Sequence, residues 1–523
     1  MRVLPAGQSG GMGQVVVGVG PLTESDVVAV ARDGVGVSLG PDALAAVVAS
    51  RGIVDRLAGE AEPHYGISTG FGALATKHIP AQQRALLQRS LIRSHAAGSG
   101  AEVEREVVRA MMLLRLSTLA TGHTGVRPDT AAALAALLEN GITPIVYEFG
   151  SLGCSGDLAP LAHVALALVG EGTVRLADGT ASPAGDALRS IGLEPVVLAE
   201  KEGLALINGT DGMLGQLLLA CHDLDLLLRT ADITAAMSVE ALLGTARVFA
   251  ADLQALRPQP GQAVAAANMR ALLDGSAIIA SHAGPDCVYV QDAYSMRCAP
   301  QVAGAARDTL AHARTVAAHE LAAAVDNPVV VDDRVESNGN FHGAPIAYVL
   351  DFLAIPAADV ASISERRTDR MLDPARSRGL PPFLADDPGV DSGHMIAQYT
   401  QAALVSELKR LAVPASVDSI PSSAMQEDHV SMGWSAARKL RRGVDALTRV
   451  LAIELLTAAR ALDLRAPLEP GPATAAVVAG LRERAAGPGP DRYLAPEIEA
   501  AVDYVRSGAA VAAADAALPG RLR

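Results

Sequence analysis

Aromatic residues and basic charge are both scarce in this chain of 523 residues. It contains six Phe, eight Tyr and a single Trp, and its 43 Lys and Arg are outnumbered by 57 Asp and Glu, which gives a formal net charge of −14. Proteins that bind nucleic acid through charge carry basic patches, and those that bind single strands add aromatic stacking surfaces. The composition therefore argues against nucleic acid as a partner.

Cysteine is also rare, and its spacing excludes two common kinds of site. The cysteines are far apart and form no C-x-x-C pair: Cys154, Cys221, Cys287 and Cys298. This pattern predicts reduced thiols in a cytoplasmic protein rather than a disulfide framework or a zinc knuckle. His312 and His319 are seven residues apart, whereas helical zinc motifs place two histidines on adjacent turns. We therefore predict that the protein holds no metal.

Apolar runs long enough to cross a bilayer are missing as well. The most apolar stretches, such as residues 158–170, are shorter than the roughly 20 residues that a spanning helix needs. The Gly-rich start of the chain lacks the charged and then apolar layout of a secretory signal. We therefore expect no membrane partner.

Half of the residues are hydrophobic, and their periodicity predicts a mainly α fold. Apolar residues recur at spacings of three and four in residues 310–324, 346–372 and 440–462, which is typical of long helices. An Asp-Gly pair at 178–179 predicts a small hairpin. We expect an elongated helical bundle with a mixed N-terminal domain that carries the active-site loops. The predicted domains are a flexible N-terminal tail (1–14), the N-terminal domain with its electrophile-forming loop (15–205), the central long-helix bundle (206–465) and a C-terminal helical appendage (466–523).

A first Gly-rich segment, residues 65–74, contains the pattern G-x-S-x-G at Gly66–Gly70. A hydrolase nucleophile elbow needs a buried strand directly before this pattern. The preceding residues, Glu-Ala-Glu-Pro-His, make a poor central strand. The pattern therefore does not support a hydrolase.

A second Gly-rich segment begins at Gly150 and leads into an apolar helix, with Asp157 in the first turn and Pro160 just behind it. Helix N-termini favour negative charge. From the residues alone, the segment predicts an anion-binding loop, and Cys154 and Ser155 both remain candidate nucleophiles.

This segment, Gly-Ser-Leu-Gly-Cys-Ser-Gly-Asp-Leu-Ala-Pro-Leu, resembles the loop Gly-Ser-x-Gly-Ala-Ser-Gly-Asp-Leu-Ala-Pro-Leu of the aromatic amino-acid ammonia-lyases. In that family the Ala-Ser-Gly triad closes autocatalytically into 4-methylidene-imidazol-5-one (MIO). The resemblance implies that Cys154, Ser155 and Gly156 form this electrophile and that no external cofactor is needed. Cys154 stands where alanine is usual. Because the first residue contributes only its backbone carbonyl to the ring, we expect the cysteine to be tolerated.

Further motifs extend the resemblance over nearly the whole chain, from about residue 15 to the C-terminal region. They imply three catalytic residues: Tyr65 as the base, Tyr294 at the substrate amine, and the active-site glutamate Glu427. They also imply a set of substrate-binding residues, with Arg297 holding the carboxylate: Ser94, His95, Asn208, Gln291, Arg297, Phe341 and Gln426. Gln291 and Gln426 are expected to position the substrate rather than to carry protons.

The pair Ser94-His95 predicts the substrate. In the family this pair is Ser-His in the histidine lyases, His-Leu in the tyrosine lyases and Phe-Leu in the phenylalanine lyases. An imidazole needs polar partners, because buried unpaired nitrogens cost about 1–3 kcal/mol each. The resemblance thus implies elimination of ammonia from L-histidine to give trans-urocanate, the first step of histidine degradation, by a homotetramer whose sites are built from more than one subunit. The alternatives are a tyrosine or phenylalanine ammonia-lyase or aminomutase of the same family, and a catalytically inactive helical scaffold.

Overall fold

The computed structural model describes residues 13–70, 72, 76–284 and 290–523. Residues 1–12 of the predicted tail (1–14) therefore lie outside the described residues. Cys287 lies outside them as well. Within the described ranges, helices predominate over a few short strands. The prediction of a mainly α protein is confirmed.

The helices are α1 (Glu24–Val28), α2 (Pro41–Ala58), α3 (Ala81–His95), α4 (Arg105–Ala120), α5 (Pro128–Glu139), α6 (Leu158–Leu168), α7 (Ala184–Ser190), α8 (Glu202–Ile207), α9 (Asp211–Ala241), α10 (Ala251–Ala255), α11 (Pro260–Leu273), α12 (Ala277–Ala280), α13 (Tyr294–Arg297), α14 (Ala299–Leu321), α15 (Ala344–Leu372), α16 (Met395–Leu411), α17 (Gly433–Asp463), α18 (Pro472–Arg482), α19 (Ala495–Arg506) and α20 (Ala509–Ala517). The strands are β1 (Gln14–Val17), β2 (Gly36–Leu39), β3 (Ser99–Glu102), β4 (Thr143–Pro144), β5 (Tyr147–Phe149), β6 (Thr173–Arg175), β7 (Ala181–Pro183), β8 (Val329–Val331) and β9 (Arg334–Glu336).

The described strands form four small sheets. β1 and β2 pair in parallel, whereas β3–β5, β4–β6–β7 and β8–β9 are antiparallel. The predicted hairpin at Asp178-Gly179 is present as β6–β7. Such short ladders need support from neighbouring helices, because an isolated two-stranded sheet is marginally stable.

The long helices bury the apolar stripes that the sequence predicts. In α17 the side chains of Leu440, Leu447, Leu451 and Leu455 are fully buried. α15 begins two residues before the predicted stretch and continues through Pro356 without ending there. Each fully buried Leu stabilises the fold by about 1.5–3 kcal/mol relative to an exposed one.

The described chain divides into two compact units built from separated segments. Unit 1 comprises residues up to 219 together with 314–350 and 415–438, and unit 2 comprises 220–313, 351–414 and 439–523. The contiguous domains predicted from the sequence stay a prediction. All strands of the described residues belong to unit 1, so that the mixed structure is concentrated there.

Two helical segments are long and apolar enough to cross a membrane by length and composition, whereas none of that kind was expected from the sequence. They are Glu202–Ala241 and Ala344–Leu372. The most apolar window of the first is entirely buried within the protein, and that of the second is 61% buried. Core helices have the same properties, so these segments give little support for a membrane span.

Candidate active site

Unit 1 contains a cavity of about 760 Å³ beside the N-terminus of α6. Eight of the residues predicted from the sequence line it: Tyr65, His95, Cys154, Ser155, Asn208, Phe341, Gln426 and Glu427. These residues come from chain segments more than 300 positions apart, so the fold brings together what the sequence separates.

Two glycines allow the loop before α6 to pack closely against its neighbours. Gly153 and Gly156 have φ angles of +68° and +76°, a region that side-chain-bearing residues rarely adopt. A Cβ on Gly153 would lie 2.2 Å from Ser431 Oγ, and a Cβ on Gly156 would lie 2.1 Å from the carbonyl oxygen of Gly209. Both positions therefore require glycine, for conformation and for space.

Asp157 anchors the loop to the start of α9. Its buried carboxylate accepts hydrogen bonds from Ser151 Oγ and from the backbone N–H of Met213, both at 2.8 Å. Its own backbone N–H donates to Gly209 O at 2.7 Å. Burial raises the pKa of Asp157 to about 7, although these hydrogen bonds favour the anion. The loop thus has a fixed position relative to two helix N-termini.

Glu427 lies against the Cys-Ser-Gly triad. Its Oε1 accepts from Ser155 Oγ at 3.1 Å, and its Oε2 accepts from Cys154 Sγ at 3.0 Å and from Ser422 Oγ at 3.0 Å. Burial and the neighbouring carboxylate raise the pKa of the Cys154 thiol to about 12. The thiol is therefore protonated at neutral pH, and neither a thiolate nucleophile nor a metal ligand is expected at Cys154.

The segment that carries Glu427 is attached directly to the Gly-rich loop. Ser431 Oγ donates to Gly153 O at 2.8 Å, and the backbone N–H of Met432 donates to Leu152 O at 2.9 Å. Ser422 and Glu427 exchange backbone hydrogen bonds across a tight turn. The glutamate is therefore held in register with the triad by main-chain contacts on both sides.

His95 ends α3 and lines the cavity. Its Nδ1 lies 2.9 Å from Leu91 O, so Nδ1 carries the proton in the neutral ring and Nε2 is left as an acceptor. Burial lowers the pKa of His95, against the opposing effects of the Leu91 carbonyl and of the Glu427 charge. The following Gly98 N–H donates to His163 Nε2 on α6 at 3.1 Å, which fixes this segment against the helix of the triad.

Tyr65 and Asn208 complete the polar lining. The Tyr65 hydroxyl accepts a hydrogen bond from the backbone N–H of Gly72 at 3.3 Å. Asn208 follows α8 and donates from Nδ2 to Asn327 O at 2.9 Å. Its buried Oδ1 has no hydrogen-bond partner within the described ranges. Because unpaired buried acceptors are costly, this oxygen is suited to receive a donor from a bound molecule.

Comparison with known proteins identifies the family. Residues 22–483 match the family model described as aromatic amino acid lyase. The chain belongs to this family. This lyase is 66% identical over 506 residues to the histidine ammonia-lyase of Streptomyces avermitilis. The match covers 96% of this chain and 99% of that protein. It is 64% identical to the histidine ammonia-lyase of Streptomyces coelicolor over 98% of this chain and all of that protein.

Solved structures of the family share the fold. A tyrosine aminomutase from Streptomyces globisporus matches with a TM-score of 0.92 and 39% identity, covering 98% of this chain and 100% of that one. A histidine ammonia-lyase from Trypanosoma cruzi matches with a TM-score of 0.89 and 38% identity, covering 97% of this chain and 96% of that one. Aminomutase and ammonia-lyase activities thus occur on one fold, so the fold alone does not decide the substrate.

Besides Gly156 of the triad, four residues predicted for the site of this lyase do not line the cavity. Ser94 is exposed, and its hydroxyl donates to Leu91 O at 3.0 Å. Gln291, Tyr294 and Arg297 belong to unit 2. Tyr294 is 70% exposed, and the Arg297 guanidinium lies 4.9 Å from the centre of its ring. The roles expected for these four residues stay predictions.

Three polar residues of the cavity region have no role predicted from the sequence. His342 and His429 line the cavity and stack with ring centres 5.3 Å apart. His342 directly follows Phe341, and His429 lies two residues after Glu427, so their closeness to predicted site residues is a signal that could have found them. Ser422, the third donor to Glu427, precedes it by five residues and has no motif of its own, so only the folded turn reveals it.

Proposed function

We propose that this lyase is a histidine ammonia-lyase, which converts L-histidine into trans-urocanate and ammonia. The observation that carries this proposal is the pair of polar groups, His95 and Glu427, that face the cavity beside the triad. The proposal is also supported by the 64–66% sequence identity to histidine ammonia-lyases over nearly the full chain. Tyrosine and phenylalanine have no imidazole nitrogens to satisfy these groups.

The triad fits the formation of MIO. Gly156 N would attack the carbonyl carbon of Cys154, with loss of one water, and Ser155 would lose its hydroxyl as a second water. The left-handed φ of Gly156 and its close approach to Gly209 O suit a tight loop closure without a side chain. The Cys154 side chain points to Glu427 and takes no part in the closure. When formed, the ring is an electrophile that takes up the substrate amine and improves it as a leaving group.

The residues of the cavity supply binding and proton transfer. The phenolic oxygen of Tyr65, in its deprotonated form, is the base that takes up the proton from the β-carbon of the substrate. Asn208 Oδ1 accepts a hydrogen bond from the substrate amine and so gains the partner that it lacks. The neutral His95 accepts at Nε2, and Glu427 accepts with its carboxylate, so together they match the two N–H groups of a protonated imidazole ring. Phe341 and Gln426 position the substrate.

Three further predicted residues act at the substrate's carboxylate and amine. Arg297 binds the carboxylate in a charge-assisted pair, Tyr294 contacts the amine, and Gln291 positions both. Because the family resemblance implies sites built from more than one subunit, we propose that these three residues of unit 2 reach the site of another subunit in a homotetramer. We place the enzyme in the cytoplasm.

The experiment is a substrate assay with the purified chain. We expect L-histidine to give the ultraviolet absorption of urocanate, whereas L-tyrosine and L-phenylalanine give little product. Ser155→Ala should abolish turnover and keep one water that the wild type loses in intact-mass analysis. Ser190→Ala, a serine of α7 outside the cavity, is the matched control and should behave like the wild type. Faster turnover of tyrosine, or a β-tyrosine product, would support an aminomutase instead.

A further inference from the structure

The Glu427 carboxylate accepts three hydrogen bonds, and formation of the ring would remove only one of the three donors. Ser155 Oγ contacts Oε1, whereas Cys154 Sγ and Ser422 Oγ both contact Oε2, all at 3.0–3.1 Å. An ionised carboxylate offers about four acceptor positions, two on each oxygen. Oε2 therefore has both of its positions filled, and Oε1 has one.

Loss of the Ser155 hydroxyl changes only one side of this arrangement. The water that leaves carries away Ser155 Oγ, which is the donor to Oε1. The two donors to Oε2 are chemically unchanged. Ser422 is outside the triad, and Cys154 contributes only its backbone carbonyl to the closure. The mature carboxylate is thus held through Oε2 and left open at Oε1.

We propose that the Cys154 thiol is a positioning residue that holds Glu427 through Oε2 and so presents Oε1 to the imidazole of the substrate. This inference rests on the proposed function for the identity of the substrate. The alanine that is usual at this position of the family has no donor. The cysteine of this chain therefore adds a hydrogen bond that an alanine-containing loop lacks.

Burial and protonation both suit the thiol to this task. Cys154 is 6% exposed, so water does not readily replace the thiol as the partner of Oε2. The raised pKa of Cys154 keeps the proton on sulfur at neutral pH, which is the state that donates. A thiol is a weak donor, but a charged acceptor strengthens the bond.

The kinetic test compares Cys154→Ala with Cys154→Ser. Removal of the donor should lower kcat/KM for histidine by about three- to tenfold, mainly through KM, because a misplaced carboxylate weakens binding. The serine variant should recover most of this loss, since its hydroxyl can donate to the same oxygen. Intact-mass analysis must show the same loss of two waters in all variants, so that differences in ring content are separated from positioning. Cys221→Ala, outside the cavity, is the matched control.

A double-mutant cycle with Glu427→Gln distinguishes positioning from general packing. If the thiol acts through the carboxylate, Cys154→Ala should have less than a twofold effect in the Glu427→Gln background. Equal effects in both backgrounds would overturn the proposal. Full activity of Cys154→Ala in the wild-type background would overturn it as well.

An infrared measurement tests the hydrogen bond without any turnover. The wild-type minus Cys154→Ala difference spectrum isolates the S–H stretching band of Cys154, in a region free of other protein bands. In the Glu427→Gln background this band should move to higher frequency, because the charged acceptor is gone. An unchanged band would overturn the role of the thiol. Absence of urocanate formation by the wild type would overturn the proposed function, whatever the band shows.

Discussion

At the scale of single residues, only one member of the pair Ser94-His95 lines the cavity. His95 faces the cavity with an accepting Nε2, whereas the neighbouring Ser94 is exposed and bonds back to α3. The identity of the pair could be recognised from the sequence. The sequence does not show which member faces the cavity, because the direction of a side chain at the end of a helix depends on the last turn. We therefore predict that His95 makes the selective contact.

The substitution His95→Leu should therefore carry most of a change in substrate preference. It replaces the acceptor with an apolar wall, so a bound imidazole loses a partner and a phenyl ring loses none. We expect kcat/KM for histidine to fall about 10- to 100-fold, corresponding to roughly 1.4–2.7 kcal/mol. The ratio of kcat/KM for histidine and phenylalanine, measured on both enzymes, checks this.

Ser94→Phe is the control for that substitution. Because Ser94 is exposed and does not line the cavity, its replacement alone should change the ratio less than threefold. If Ser94→Phe shifted the ratio as strongly as His95→Leu, the view that His95 alone makes the selective contact would be wrong.

At the scale of elements, helices were easier to predict than the loops that form the site. The apolar stripe at 346–372 lies within α15, and the stripe at 440–462 lies within α17. Both rest on local periodicity, which the sequence displays directly. The contact between the loop at Gly153 and the segment at Ser431 joins residues 278 positions apart. No local pattern encodes such a contact, and only the family resemblance associated the two segments.

The close approach of Gly156 to Gly209 gives a prediction for the loop as an element. Gly156→Ala places a Cβ within van der Waals overlap of Gly209 O and also strains a φ of +76°. We expect loss of ring formation and a free energy of unfolding lower by more than about 2 kcal/mol. Intact mass and chemical denaturation measure the two effects.

Gly192→Ala separates strain from overlap. Gly192 has the same φ of +76°, and nothing lies within 4 Å of the position that a Cβ would take there. This variant should lose only about 1 kcal/mol, the cost of a left-handed conformation, and should keep full activity. Equal losses in the two variants would show that close packing at Gly209 is not what makes glycine necessary at position 156.

At the scale of the whole molecule, the chain order and the compact units do not correspond. Unit 1 contains segments from three parts of the chain, whereas the predicted domains are contiguous ranges. The spacing of apolar residues shows where a helix begins and ends. It does not show which residues of a long helix belong to which compact unit. The cavity of unit 1 nevertheless contains the triad, Tyr65 and Glu427 together. The residues expected at the substrate carboxylate lie in unit 2, outside that cavity.

This separation predicts complementation between subunits. Ser155→Ala removes the electrophile, and Arg297→Met removes the carboxylate clamp, so each variant alone should be inactive. If Arg297 serves the cavity of another subunit in a homotetramer, co-expression of the two variants creates some sites with both groups intact. Purified mixed assemblies should then regain part of the wild-type urocanate formation. Light scattering on the same samples checks the assembly state.

The control mixture combines Ser155→Ala with Tyr65→Phe. Both residues line the same unit 1 cavity, so every site receives them from one chain. No mixture of these two variants can build a complete site, and activity should stay absent. Recovery in this control would mean that Tyr65 also crosses between subunits. Failure of the first mixture to recover, in assemblies shown to contain both chains, would place Arg297 outside the site of any other subunit and would remove its proposed role as a shared clamp.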